Sequence, residues 1–379
     1  MKKPIYLDYN GTTPHAPEVI EAMRPFMESE FGNPSSSHAY GVKVKEAVET
    51  ARGQVARMLN CLPKEIVFTS GGTESNNHAL KCAGGARFSE GRHIITSCIE
   101  HPAVLEVCRF LETHGFEVTY LPVDGNGLVS LSDVAGAIKP ETIFVSIMHA
   151  NNEVGTVQPV GEIARIARDK GILFHTDAAQ SIGKIPVDVD GSRVDLLSVA
   201  GHKIYAPKGI GALYVREGVD PGVFCHGAGQ ERNIRAGTEN VMGIVGLGTA
   251  CEVARRDLPD NRRHMQETRD RLEEGLALAL DDIRFNGHRE KRLPNTCSVS
   301  FLDLEANRIL SAVGKDIAAS AGAACHSNGI EMSHVLRAMG VPEIWAKGTL
   351  RFTTGRMTTV EEIDRSLEVI VSAVKKMRR

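Results

Sequence analysis

Between residues 65 and 215 the hydrophobic pattern switches repeatedly between short apolar runs and stretches with helical spacing. The runs at 65–69, 93–96, 117–121, 142–148, 172–176, 196–199 and 211–215 read as strands. The stretch opened by Gly71 and Gly72 and running to about 83, and those at 103–113, 130–138 and 160–170, repeat their apolar residues at helical intervals. Strands alternating with helices of this length predict an α/β fold, a mostly parallel sheet with helices on both faces. Ligands of such sheets bind beyond the carboxyl ends of the strands. Asn151, Asp177 and Lys203 fall just after predicted strands.

The flanks read differently. Residues 1–14 form a short extended arm ending at Pro14, and 17–28 has helical spacing with Pro17 suited to a first helical position. A polar, turn-forming stretch from Phe31 to His38 precedes an amphipathic helix at 42–59. After Gly248 comes a long charged helix at 253–280, strand-like 296–301, helical 307–312, the small-residue stretch 318–324, strand-like 349–353 and a final helix from Thr359. The expected division is a large domain at 15–252 and a small α+β domain made of 1–14 and 253–379.

Composition narrows the function classes. A net charge of −3 argues against a nucleic-acid surface. No apolar run approaches the roughly 20 residues of a membrane span, and the first residues, Met-Lys-Lys-Pro-Ile, lack a signal-peptide apolar region, so the expected location is the cytoplasm. The eight cysteines show no C-x-x-C spacing, which leaves no zinc or thioredoxin signature and no metal site to expect; most are expected as buried free thiols.

Candidate chemistry centres on Lys203, which follows a buried strand within Gly201, His202 and Lys203. A desolvated lysine amine forms Schiff bases with aldehydes, the chemistry by which pyridoxal phosphate (PLP) is held, whereas a lone lysine at such a place is ordinarily a solvated loop residue. Ser70, Gly71, Gly72 and Thr73 lie between a strand and a helix and suit a phosphate cradle, with Thr73 as a side-chain donor. Asp177 ends a strand, where it either pairs with a pyridine nitrogen or caps the next helix, and Gln180 is placed to reach a phenolic oxygen. His101 opens a helix, where it stacks on a ring and shuttles protons or merely caps.

Ten ordered segments together resemble the NifS/IscS-type cysteine desulfurases, in the aminotransferase class V branch of the fold-type I PLP enzymes. They include Tyr6-Leu7-Asp8-Tyr9-Asn10, Phe31-Gly32-Asn33-Pro34-Ser35, Gly71-Gly72-Thr73-Glu74-Ser75-Asn76-Asn77, Glu100-His101-Pro102-Ala103 and Asn151-Asn152-Glu153. The others are His175-Thr176-Asp177-Ala178-Ala179-Gln180, Gly201-His202-Lys203, Arg235-Ala236-Gly237-Thr238-Glu239-Asn240, Gly322-Ala323-Ala324-Cys325 and Arg351-Phe352-Thr353-Thr354-Gly355-Arg356.

The resemblance implies a site. Lys203 links to PLP, His101 stacks on its ring, Asp177 meets its pyridine nitrogen, and Gln180 and Asn152 approach its phenolic oxygen. Gly72, Thr73 and His202 bind the phosphate beside Ala200 and Gly201, and Thr238 reaches it from the other subunit of a homodimer. Arg351, with Asn10 and Asn33, holds the substrate. Cys325 is the nucleophile that takes sulfur from L-cysteine, leaving alanine and a Cys325 persulfide for an iron–sulfur scaffold. Its small, polar surroundings read as a flexible loop, and His326 beside it is placed to tune its thiol.

Three departures bear on this reading. Ala200 stands where many relatives have a phosphate-binding serine. Gly322-Ala323-Ala324-Cys325-His326-Ser327 resembles the selenocysteine lyases, which makes L-selenocysteine an alternative substrate. No long insertion follows Cys325, which limits the reach of a persulfide. A class V aminotransferase or β-lyase with a structural Cys325, and a catalytically silent assembly subunit, are the remaining alternatives.

Overall fold

The computed structural model describes residues 3–326 and 329–379, with the side chains of 83–84 and 323–331 outside the description. Its centre is a seven-stranded sheet in the order Ile66–Thr69, Gly211–Val215, Leu196–Ala200, Leu173–Asp177, Thr142–Ser146, His93–Ser97, Glu117–Leu121. Gly211–Val215 runs antiparallel to both neighbours and the other pairings are parallel. The central strands are buried throughout, which explains why they read as continuous apolar runs rather than alternating ones.

Polar residues enter these strands only where neighbours satisfy them. His175 is fully buried and hydrogen-bonds Ser146 Oγ at 2.8 Å and Ser198 Oγ at 3.0 Å on the flanking strands. Burial pushes its pKa down to about 4, so it is a neutral bridge between strands. The expected seven strands and mostly parallel order are both present.

A second sheet is antiparallel, in the order Ser320–Ala321, Thr349–Thr353, Thr296–Phe301, Ile283–Asn286. The N-terminal arm joins this region: Ile5–Tyr6 pairs in parallel with Ile317–Ala318. The residues before and after Cys325 do not form the open loop expected of them, because Ala323–His326 pairs antiparallel with Gly329–Met332. Cys325 and His326 lie in the first strand of that hairpin, and their side chains are outside the described residues.

Val241–Ala279 is one helix of 39 residues, starting well before the predicted 253. Its first turns are glycine-rich, which hides helical periodicity in the sequence. The glycines serve close packing: a Cβ on Gly248 would stand 2.6 Å from Ala51 Cα, and one on Gly246 would stand 2.7 Å from Met23 Sδ. The N-terminal half can therefore lie against Pro17–Glu28 and Ala39–Leu59. Among the described residues no helix is long and apolar enough to cross a membrane.

One buried ion pair ties Ala39–Leu59 to a strained turn. Glu231, Arg232 and Asn233 adopt φ of 42°, 58° and 66° in succession, a conformation that costs of order 1–3 kcal/mol per non-glycine residue. Arg52 grips Glu231 with two hydrogen bonds of 2.7 and 2.9 Å, and Phe68 N–H donates to the same carboxylate at 2.8 Å. Glu231→Ala would leave Arg52 buried with only the exposed Glu49 as counter-charge, and Phe68 N–H without its acceptor. A loss of about 3–5 kcal/mol of stability is expected, read as a lowered denaturation midpoint.

Candidate active site

The strand ends converge on a cleft of about 760 Å³. Leu173–Asp177 ends in Asp177, and the turn Gly201–Lys203 follows Leu196–Ala200 directly. His101 caps the helix Pro102–Glu112, and Gly72 and Thr73 begin Gly72–His78. Asn152 follows the fifth strand of the sheet order, and Gln180 the turn after Asp177. Asn10 comes from the N-terminal arm and Arg351 from the second sheet. Together with Ala200 and His202, all of these line the one cleft.

Three predicted residues stand elsewhere in this chain. Gly201 lies buried behind the cleft, where a Cβ would collide with Ile210 at 2.9 Å. Asn33 is exposed and turns its Oδ1 onto Ser35 N–H. Thr238 is exposed on a separate hollow beside Glu231 and Arg235. Arg235 joins that hollow to the glycine loop through an ion pair of 2.8 Å with Glu74.

Lys203 is half-buried and rests its Nζ on the main-chain oxygens of Asn10 and Gly11, at 2.5 and 2.7 Å. Burial, reinforced by Arg351 and opposed by Asp8 and Asp177, lowers its pKa to about 8. A substantial fraction of this amine is thus neutral and nucleophilic near neutral pH. Asp177 is buried and uses both oxygens: Oδ1 accepts from Ala179 N–H at 2.9 Å and Oδ2 from Asn76 Nδ2 at 2.7 Å. It therefore caps the following turn while keeping an edge on the cleft.

His101 Nδ1 accepts from Ala103 N–H at 3.1 Å, so its ring is fixed by the capping role and opens on the cleft by its other edge. Crowding by protein lowers its pKa, with Lys203 and His334 acting in the same direction and Asp177 against. His202 is held down to about 4, mainly by burial and then by Lys203, and its Nδ1 lies 3.1 Å from Thr12 Oγ1.

Several contributors carry no recognisable local signal. Asp8 binds Arg351 Nη2 at 2.6 Å, while Arg351 Nη1 donates to Asn152 O at 3.0 Å. Asn10 is a hub whose carboxamide and main chain meet Asn152, Thr296, Asn295, Lys184, Gln180 and Thr353. Glu100 is fully buried beneath His101 in sequence, and burial pushes its pKa up to about 8. Its Oε1 accepts from Ser97 Oγ and Met148 N–H. The Gly72-Thr73 and Asp177 positions were signalled by strand–loop pattern, but Asn76, Asp8 and Glu100 need the fold to bring them in.

The cleft suits a PLP-sized, anionic, planar group. It is lined by small residues at Gly72, Ala179 and Ala200, and a Cβ on Gly72 would press within 3.2 Å of the Ala200 side chain. Two buried polar atoms beside it, Asn76 Oδ1 and Arg351 Nε, have no protein partner. An acid, an amine, a histidine and a guanidinium are the donor and acceptor types such a group with an amino-acid substrate requires. No cysteine lines the cleft among the described residues. Cys108, Cys251 and Cys297 are buried thiols, Cys61, Cys82 and Cys98 are half-buried, and Cys225 is exposed.

The family model for aminotransferase class V matches residues 5–366. Over its full length the chain is 48% identical to the cysteine desulfurase IscS of Dictyoglomus turgidum (strain DSM 6724 / Z-1310), of which it covers 96%. A solved NifS-like protein superposes with a TM-score of 0.93 at 40% identity, covering 98% of this chain and 100% of that one. The structure of SspA in complex with cysteine gives 0.82 at 39% identity, over 94% of this chain and 100% of that one.

Proposed function

From the premise that the chain belongs to the aminotransferase class V family, we propose that it is a PLP-dependent cysteine desulfurase, converting L-cysteine to L-alanine and carrying the sulfur as a persulfide on Cys325. The observation that carries the reading is Lys203, its amine tuned to about 8, in one cleft with Asp177, His101 and Arg351.

When bound, PLP supplies an aldehyde for an amine and a ring that withdraws electrons from the substrate α-carbon. Lys203 would hold the aldehyde carbon, Asp177 the ring nitrogen, and Gln180 and Asn152 the phenolic oxygen. Gly72, Thr73 and His202 would hold the phosphate beside Ala200 and Gly201, with Thr238 contributed across a homodimer. Ala200 offers a methyl where a hydroxyl would add a donor, so more of the phosphate's binding falls to Thr73 and His202.

The chain's own groups then divide the work. Arg351 binds the substrate carboxylate through guanidinium N–H groups, its Nε being free of protein partners. Asp8 competes for the same guanidinium, so substrate binding loosens that ion pair. Asn10 orients the neighbouring amides, and Asn33 would have to come to the substrate from outside the cleft. Lys203 Nζ, neutral once released, takes the α-proton. The Cys325 thiolate attacks the substrate sulfur; the new S–S bond forms as the substrate C–S bond breaks, and the electron pair stays with carbon, which is then protonated to give alanine.

The remaining elements of the reading are a homodimer in the cytoplasm that delivers sulfur to an iron–sulfur scaffold protein, and a division into residues 15–252 and 1–14 with 253–379. The Ala323-Ala324-Cys325-His326 segment favours one second reading, selenocysteine lyase. Assaying alanine with sulfide or selenide from both amino acids tests both. With excess dithiol present to reduce the persulfide, alanine and sulfide in equal amounts from L-cysteine are expected; turnover of L-selenocysteine alone would replace the first reading with the second, and keto-acid products would point to an aminotransferase or β-lyase.

A further inference from the structure

Lys184 is a buried lysine with no carboxylate partner among the described residues. Gly183, with φ of +75°, turns the chain so that the side chain of Lys184 points inward, and the residue is 4% exposed. Its Nζ donates to Asn10 Oδ1 at 2.7 Å and to Gln180 Oε1 at 2.8 Å. The charged groups that act on it, Lys203 and Arg351, are both positive, and with burial they lower its pKa well below the ordinary range. A neutral amine has two N–H donors, and two acceptors are what this site provides.

The consequence falls on Gln180. A carboxamide fits a pocket in two orientations that differ only in which end is the donor. With Oε1 engaged by Lys184, the Nε2 end must face the other way, and it donates to Asn10 O at 3.0 Å. Gln180 lines the cleft, so its remaining N–H, not its carbonyl, is what the cleft receives. The Asn10 main-chain carbonyl, which only accepts, favours the same orientation, so Lys184 and Asn10 grip opposite ends of one carboxamide.

We infer that Lys184 is a positioning residue that fixes Gln180 as a hydrogen-bond donor toward the cleft, and thereby toward the phenolic oxygen of the cofactor. This rests on the PLP reading above. A donor there favours the oxygen anion, so it lowers the pH at which the cofactor-linked chromophore gains its proton. Asp8, Asp177, His101, His202, Lys203 and Arg351 also bear on that titration and are unchanged in the variants below.

The test is the visible absorbance of the holoenzyme followed against pH in wild type, Lys184→Met and Lys184→Gln, with thermal midpoints in parallel. Lys184→Met releases the Oε1 end of the Gln180 carboxamide, leaving only the Asn10 contact at the other end, and should raise the absorbance midpoint by about one pH unit, a tenfold change in proton affinity. Lys184→Gln is uncharged but keeps two N–H donors, and should restore a midpoint near wild type. A midpoint in Lys184→Met equal to wild type overturns the inference. So does a midpoint in Lys184→Gln as high as in Lys184→Met, because charge rather than the donor lock would then be responsible. If Lys184→Met does not accumulate folded, Lys184→Leu is read with the same expectation. A wild-type protein that gains no visible absorbance with PLP would sink the cofactor reading itself, a different result from any of these.

Discussion

Lys203→Ala is expected to lower desulfurase turnover roughly 100- to 10,000-fold, the range seen when a positioned proton-transfer group is lost. The variant should also lose the visible absorbance that wild type gains with PLP. The cause is double: the amine that would hold the aldehyde and the base that takes the α-proton are the same atom. Its environment makes a second, independent measurement possible. Burial depresses the amine to about 8 from an ordinary 10.5, and only the neutral amine reacts with an electrophile. Labelling of Lys203 by an acylating reagent in cofactor-free protein should therefore rise with pH and level off above a midpoint near 8. A midpoint near the ordinary lysine value would mean that the carbonyls of Asn10 and Gly11 hold the amine as a solvated ammonium, and the case for Lys203 would fail with it.

Cys325→Ala separates sulfur transfer from everything that precedes it. Sulfide release from L-cysteine is expected to fall to background. The change in visible absorbance on adding L-cysteine should survive, because Lys203, Arg351 and Asp177 are untouched. The reason is chemical: a methyl group cannot accept sulfur, and no cysteine lines the cleft among the described residues to take over. The buried thiols cannot stand in, since burial holds Cys108 and Cys251 near 12 and so keeps them protonated. Sulfide release persisting in Cys325→Ala would remove Cys325 as the nucleophile and favour a β-lyase.

The two variants together place the reaction on two elements far apart in the chain, and the fold shows how they are coupled. Arg351, on the second sheet, donates to Asn152 and Asp8 from the N-terminal arm and the main sheet's loops. The N-terminal arm itself pairs with Ile317–Ala318, close in sequence to the Cys325 hairpin. Arg351 thus reaches the cleft from the second sheet, while Lys203 and Asp177 reach it from the strand ends of the main sheet.

Much of the site could be read without coordinates. Strand-end positions follow from hydrophobic period alone, and a side chain just past a buried strand must face the sheet's carboxyl edge. That is why Asp177, Lys203, His101 and the Gly72-Thr73 loop were legible. Local chemistry also set limits: the capping role open to His101 is real, and its ring does cap Pro102–Glu112. Helix limits were less legible where glycine interrupted the pattern, as in the first turns of Val241–Ala279, since glycine there answers to Ala51 and Met23 on other helices rather than to helical propensity.

What local pattern decided, then, was the α/β architecture, the order of the strands along the chain and which ends of them carry chemistry, because burial imposes a period on each segment by itself. The pairings that tune the site were decided elsewhere. Asp8 meets Arg351 across 343 positions, Lys184 meets Asn10 across 174, and Glu231 meets Arg52 across 179. No segment on its own favours one of these partners over another charge or amide. They exist because the sheet order and the closure of the N-terminal arm onto the second sheet bring them within hydrogen-bond distance away from water, where an unpaired polar group would cost the most.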